Sequence, residues 1–206
     1  MNEEMEQLNH IMIKYIAALK VLETQIEIIN DDFQYIKKYN PIEHIKTRIK
    51  SADSILAKLQ RQGREFTIEN VIDHVHDIVG VRIICSFKQD IYDLIKLLRD
   101  SNMIKVIKEK DYITNPKDSG YRSYHLIVEV PVELINEKTY VKAEIQIRTL
   151  AMDLWASLDH KITYKNDDIS EDIAKRIVAF SDEMNDIDDR MSELIDEKKR
   201  IEEGDK

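Results

Sequence analysis

Two acids stand where acids are not expected. Asp77 opens the apolar run Ile78-Val79-Gly80-Val81-Arg82-Ile83, and Glu144 lies inside the alternating run Val141 to Arg148. Core strands rarely tolerate charge, so each acid needs a partner or a task. Together they could seat Mg²⁺, which takes one or two carboxylates and fills its shell with water and phosphate. A carboxylate beside such an ion could also take a proton from a ribose hydroxyl. Strict alternation puts Asp77 and Arg82 on opposite faces. Either Asp77 precedes the strand or Gly80 permits a bulge, and the ordinary alternative is a buried Asp–Arg pair.

Cations cluster upstream of these acids. Residues 42–64 carry Lys46, Arg48, Lys50, Lys58, Arg61 and Arg64 against Glu43 and Asp53. The spacing predicts a helix over about 42–62, on which Lys50, Ser54, Lys58 and Arg61 fall within about 80° of one another. Ile49, Ala52, Leu56 and Leu59 lie roughly opposite. A row of Lys and Arg suits a polyphosphate, although a solvated amphipathic face is the commoner meaning of such a stripe. Farther on, Lys110 to His125 contains Tyr112, Pro116, Lys117, Gly120, Tyr121 and Tyr124. This reads as a loop returning into a strand, with aromatic faces for a base and cations for phosphates.

The elements that must position these residues follow from periodicity. Leu8, Met12, Tyr15, Leu19, Leu22, Ile26, Ile29, Phe33 and Ile36 form a heptad seam on one helix, which ends before Asn40-Pro41. Ile173, Ile177, Phe180, Met184, Ile187, Met191 and Leu194 form a second seam. Each seam must pack on the centre, on the other, or on another subunit, and we expect some use in oligomerisation. Strands are expected at 78–87, 103–108, 123–131 and 139–148, with a helix from Ile91 to Arg99. In the last strand Val141, Ala143, Ile145 and Ile147 face one way, and Lys142, Glu144, Gln146 and Arg148 the other. Thr149 reads as the N-cap of a helix to about Lys165. Helices on a mixed sheet make an α/β or α+β core. The expected divisions are an N-terminal helix at 1–40, a core at 41–166 and a C-terminal helix at 167–206.

Composition narrows the function. A chain of 206 residues with 43% hydrophobic content buries a real core, and four Gly and three Pro leave little for linkers. The net charge of −9 argues against a general nucleic-acid binder. Residues 42–64 nevertheless carry a local balance of +4, whereas 181–206 carry −6. A basic island on an acidic protein suits a discrete phosphate ligand. Cys85, the only cysteine, excludes an internal disulfide framework and fits a reducing compartment. With neither a signal sequence nor a membrane span visible, the expected location is cytoplasmic.

Taken together, NPIEHIKTRIKSADSILAKL, HDIVGVRIICSF, KDYITNPKDSGYRSYHL and AEIQIRTLAMDLWASLDHKITYK resemble the synthetase domain of RelA/SpoT-type alarmone enzymes, over about three-fifths of the chain. The arrangement is most similar to the stand-alone small alarmone synthetases, the RelP type first and the RelQ type next. The resemblance implies a nucleotidyltransferase-like mixed sheet flanked by helices and assembled as a homotetramer. It implies a Mg²⁺-dependent transfer of pyrophosphate from ATP to the 3′-hydroxyl of GDP or GTP. On the same ground Arg48 and Arg82 sandwich the adenine, and Lys50, Ser54 and Lys58 hold the ATP phosphates. Asp77 and Glu144 hold Mg²⁺, and Glu144 also activates the acceptor hydroxyl. Tyr121 stacks on the guanine, and Lys110, Lys117 and His125 meet acceptor phosphates or pyrophosphate. Gln146 belongs to the same motif. Asp159 stands where Glu is usual at the guanine, and Ser119 where the long enzymes commonly have Asn. Glu23 to Glu27 lack the cations of the RelQ-type effector cleft, so product activation is not implied.

Two other functions would draw on the same residues. His76-Asp77 is an HD dipeptide, but His10, His44, His74, His125 and His160 do not supply the further ligands of a metal-dependent hydrolase. A non-catalytic module binding guanine nucleotides or single-stranded RNA could use the same basic surface, but would have no use for both acids.

Overall fold

The alternation in residues 139–148 sets the architecture, because such a strand must bury its apolar face and is free to offer the polar one. In the computed structural model, which describes residues 2–163 and 170–204 (and no side chains at 2–10, 199 and 202–204), the segment belongs to strand β5 (Glu137–Thr149). It is central in a five-stranded sheet with β1 (Ile42–Ile49), β2 (Val79–Cys85), β3 (Lys105–Asp111) and β4 (Tyr124–Leu134), in the order β1-β2-β5-β4-β3. β2 and β5 run parallel, and the other neighbours pair antiparallel. The expected mixed sheet of an α+β fold is present.

On the apolar face Val79, Val81, Ile83, Leu126, Val128, Ala143, Ile145 and Ile147 are buried. They share one core with Tyr15, Ala18, Leu22, Ile26 and Phe33 of helix α1 (Asn2–Lys37) and with Ile91, Leu94, Ile95 and Leu98 of α4 (Lys88–Asp100). Each fully buried aliphatic side chain contributes roughly 1.5–3 kcal/mol of transfer free energy. The N-terminal seam is therefore consumed within the chain. Ile36 is exposed, and the side chain of Leu8 lies outside the described set.

The expected helix over 42–62 is corrected. Its first half is strand β1, and helix α2 (Ala52–Arg61) begins only after Ser51, whose hydroxyl accepts from the Ser54 N–H. β-Branched Ile45, Thr47 and Ile49 alternate, and Arg48 pairs with Gly80 on β2. Sheet pairing thus overrides a local helical period. The buried side of α2 is Ile55 and Leu59, with Leu56 more than a third exposed. A short helix, α3 (Ile68–His74), capped by Thr67, is an element beyond the expected set.

Thr149 does cap helix α5 (Leu150–Thr163), accepting from the Met152 N–H at 3.3 Å. The expected end at Lys165 lies outside the described residues. On helix α6 (Glu171–Gly204) the seam has another fate. Ile177 is buried and Met184 half-buried, while Ile173, Phe180, Ile187, Met191 and Leu194 are 42–59% exposed. Polar contacts tie this helix to the core. Thr149 donates to Asp188 at 2.6 Å, Ser181 donates to the Gly120 carbonyl at 2.5 Å, and Arg122 pairs with Asp182 at 2.9 Å. No helix among the described residues is long and apolar enough to cross a membrane.

Candidate active site

Strand register places the expected residues in rows. One row crosses the sheet through Arg48, Gly80, Glu144, Ile127 and Lys108; the next runs through Lys46, Arg82, Gln146, His125 and Lys110. Register pairs alternate residues on one face, so all five strands bring polar positions to the same side of the sheet. Gly80 leaves room in the first row, since a Cβ there would come within 3.3 Å of the Arg48 Cγ and Nε. Three adjoining hollows of about 210, 190 and 560 Å³ result. Glu144 lines the first two, and Arg48 and Arg82 line the first and third.

At one end stand the acids. Asp77 lies just before β2, and the β1–β2 and β2–β5 pairing at Gly80 is regular, so no bulge is needed. Lys50 donates to Asp77 Oδ2 at 2.6 Å and Lys58 to Oδ1 at 2.8 Å. Lys50 reaches it from the turn after β1, whose N–H also donates to the Ile78 carbonyl. Burial alone would raise the Asp77 pKa, but the two ammonium groups outweigh it and hold the carboxyl below its ordinary range. Glu144 behaves similarly. Burial pushes up, His125 and the Gln146 amide pull down, and the net shift is downward. Gln146 Nε2 donates to Glu144 Oε2 at 2.8 Å, and His125 Nδ1 lies 3.4 Å from Oε1.

Two ionised carboxylates facing the 190 Å³ hollow fit a hard divalent cation. Among the described residues no group of three or more His, Cys, Asp or Glu could enclose a metal by itself, which leaves most of a coordination shell to other oxygens. Ser54 is drawn into the helix cap, its hydroxyl 2.9 Å from that of Ser51, and lines none of the three hollows.

Flat groups gather at the other end. Tyr121 lines the largest hollow beside Arg48, Arg82, Arg148 and Asp159. Lys117 lies 4.8 Å from the Tyr121 ring centroid and 4.9 Å from that of Tyr112, and Lys110 is 5.9 Å from Tyr112. The Tyr121 hydroxyl is 2.9 Å from His125 Nε2. Burial raises the Asp159 pKa, opposed by the nearby charge of His160. Gly120, at φ +87°, turns the loop into this position.

Sequence reasoning missed Arg148 and Asp153 as members of the site. Arg148 is 4% exposed and its Nη1 donates to Asp153 Oδ1 at 2.9 Å. The alternation of β5 held the signal, because Arg148 shares the polar side with Glu144 and Gln146.

A hollow with paired carboxylates, phosphate-suited cations and rings packed edge to face suits a nucleotide polyphosphate on a mixed sheet. The family described as "Region found in RelA / SpoT proteins" matches residues 47–169. The chain belongs to the RelA/SpoT family. The protein called GTP pyrophosphokinase YwaC from Bacillus subtilis is 47% identical over 188 residues, covering 91% of this chain and 90% of that protein. The crystal structure of small alarmone synthetase 2 from B. subtilis aligns at TM-score 0.83 and 44% identity, covering 93% of this chain and 99% of that one. That of small alarmone synthetase 1 from B. subtilis, bound to its product pppGpp, aligns at 0.84 and 34% identity, covering 94% and 99%.

Proposed function

We propose that this protein is a GTP pyrophosphokinase, moving the β,γ-pyrophosphate of ATP onto the 3′-hydroxyl of GDP or GTP to give ppGpp or pppGpp and AMP. The observation that carries this is the placement of Asp77 and Glu144 on one hollow, between the Lys50/Lys58 pair and the Tyr121-lined hollow.

In this reading Arg48 and Arg82 flank the adenine, and Lys50 and Lys58 exchange Asp77 for the ATP phosphates, with Ser54 beside them. Tyr121 stacks on the guanine, Asp159 contacts its edge, and Lys110, Lys117 and His125 meet the acceptor's phosphates. Glu144 accepts the proton of the 3′-hydroxyl on the oxygen facing His125, while Gln146 fixes its other oxygen. The 3′-oxygen attacks the β-phosphorus, and the bond to the α-phosphate oxygen breaks to release AMP. Positioning and charge neutralisation supply most of the rate in such transfers. Asp77 and Glu144 would hold Mg²⁺, which when bound neutralises phosphate charge.

The exposed stripe of α6, from Ile173 to Leu194, supports a homo-oligomer, and we assign a tetramer of the RelP type. Light scattering at micromolar concentration is expected to give about four times the chain mass; a species of 24.3 kDa overturns this. A cytoplasmic location accords with the lone, buried Cys85, whose thiol burial holds above its ordinary pKa. Radiolabelled ATP incubated with GDP and Mg²⁺ tests the activity: label moves to a 3′-pyrophosphorylated guanosine product. Binding of both nucleotides without product would leave only a binding module.

A further inference from the structure

A guanidinium as deeply buried as that of Arg148 requires an anion and partners for its donors. Asp153, in the first turn of α5, supplies the anion. Its Oδ1 accepts from Arg148 Nη1 at 2.9 Å and from Arg82 Nη1 at 3.4 Å. The first turn is favourable for an acid, because the helix N-terminus is its positive end. The other terminal nitrogen of Arg148 donates to the Tyr121 hydroxyl at 2.7 Å and to Gln146 Oε1 at 3.5 Å. Its guanidinium carbon also lies 5.0 Å from the Tyr121 ring centroid, so the ring is held by its face and its hydroxyl together. One carboxylate thus ties Arg82, directly, to Tyr121, through Arg148. Asp153 lines none of the three hollows.

We propose that Asp153 is a positioning residue that sets both base contacts at once: it fixes Arg82 for the donor base and, through Arg148, Tyr121 for the acceptor base. The inference rests on the assignment of those two residues to adenine and guanine given above. The physical case is electrostatic. Arg82 and Arg148 are neighbouring cations, and burial together with the charge of Arg148 already pulls the Arg82 pKa down. Remove the carboxylate between them and they repel, Arg82 swinging toward solvent and Arg148 losing the grip that orients the tyrosine. Gln146 and His125 extend the network to Glu144, so the same carboxylate is linked to the acid that receives the proton.

Calorimetry with GDP alone and with a non-hydrolysable ATP analogue alone separates this from a purely structural role. In Asp153→Asn, which keeps the shape and removes the charge, both affinities are expected to fall about tenfold, the effect of one lost charge-assisted hydrogen bond. Arg148→Lys keeps the charge beside Asp153 but loses the fork, so GDP affinity falls and that of the ATP analogue holds. A thermal melt reports whether each variant is folded. Unchanged GDP affinity in folded Asp153→Asn overturns the proposal. If that variant does not fold, Arg148→Lys decides: loss of GDP alone supports the proposal, while equal loss of both nucleotides, or of neither, overturns it. Tyr121→Ala and Arg82→Ala are the references. Should Tyr121→Ala leave GDP binding intact, the base assignment falls and the proposal with it. Should it weaken GDP while Asp153→Asn does not, only the positioning role is lost.

Discussion

The two ends of the hollow are held by different kinds of side chain. Around Asp77 the partners are lysines, point charges on flexible stems, and Lys58 is 27% exposed at its side chain. Around Tyr121, beside Lys117 and His125, stands a forked, planar guanidinium, that of Arg148, whose side chain is only 5% exposed. A lysine can leave a carboxylate for a phosphate at little geometric cost, whereas a planar fork fixes the orientation of what it holds. In the proposed function the acid end would exchange partners on binding, and the aromatic end would stay as it is. Chemistry should depend on the first, and selection between two bases on the second.

The largest effect is expected where charge is essential. Asp77→Asn and Glu144→Gln each lower turnover by about a hundredfold or more, with the fold retained, because preorganised charge is lost at the reacting phosphates. Product formation on a thin-layer plate measures it, and more than a tenth of wild-type turnover in both would remove the carboxylate pair from the mechanism. The aromatic end should respond in binding instead. Tyr121→Ala is expected to weaken GDP and GTP by about 1–3 kcal/mol, the range for base–aromatic stacking, and to spare an ATP analogue. Arg82→Ala should do the reverse. Equal losses of both nucleotides in both variants would erase the contrast between separate base pockets.

Gly80→Ala sharpens the contrast from within the sheet. Its Cβ would press on Arg48 at 3.3 Å, so the ATP affinity should fall by about 1 kcal/mol, a few-fold, while GDP binding holds. A matching loss of GDP would mean that the row itself had moved. The smallest effect is on stability. Asp77 and Glu144 have folded-state pKa values below their ordinary ones, so their pairing stabilises the fold above the unfolded carboxylate range, about pH 4. That contribution is lost as pH falls through the lowered folded values. The excess melting temperature of wild type over Asp77→Asn should therefore be present at pH 7 and vanish in strong acid. A difference that stays constant down to pH 2 would show that Asp77 stabilises by packing rather than charge.

Helices α1 and α6 show how far periodicity reaches. Both carry a seam at three- and four-residue spacing, and both are long helices. Yet Leu22, Ile26 and Phe33 lie under the sheet, while Phe180, Ile187 and Leu194 face outward. A seam states that a stripe is apolar, not what covers it. The same limit explains residues 42–49. Their apolar spacing satisfied a helical template, and only the neighbouring β2 made the strand the better answer. Ser51 was the local sign of a later helix start, since a cap serine is a boundary wherever the preceding pattern points.

The sequence by itself determined what is local. The alternation of β5, the cap at Thr149, the end of α1 ahead of Pro41 and the four ordered motifs were all legible, and with them the family and Asp77 and Glu144 as candidate acids. Tertiary structure alone decided the pairings between distant segments. Lys50 and Lys58 converge on Asp77 although one leaves a strand and the other belongs to a helix. Arg48, Glu144 and Lys108 fall in one row, and Arg148 becomes the support of a ring 27 positions away. The reason is one of range. Side-chain direction follows from a residue's own backbone period, but register between strands is fixed by the burial of the whole sheet face, which no short window of sequence contains.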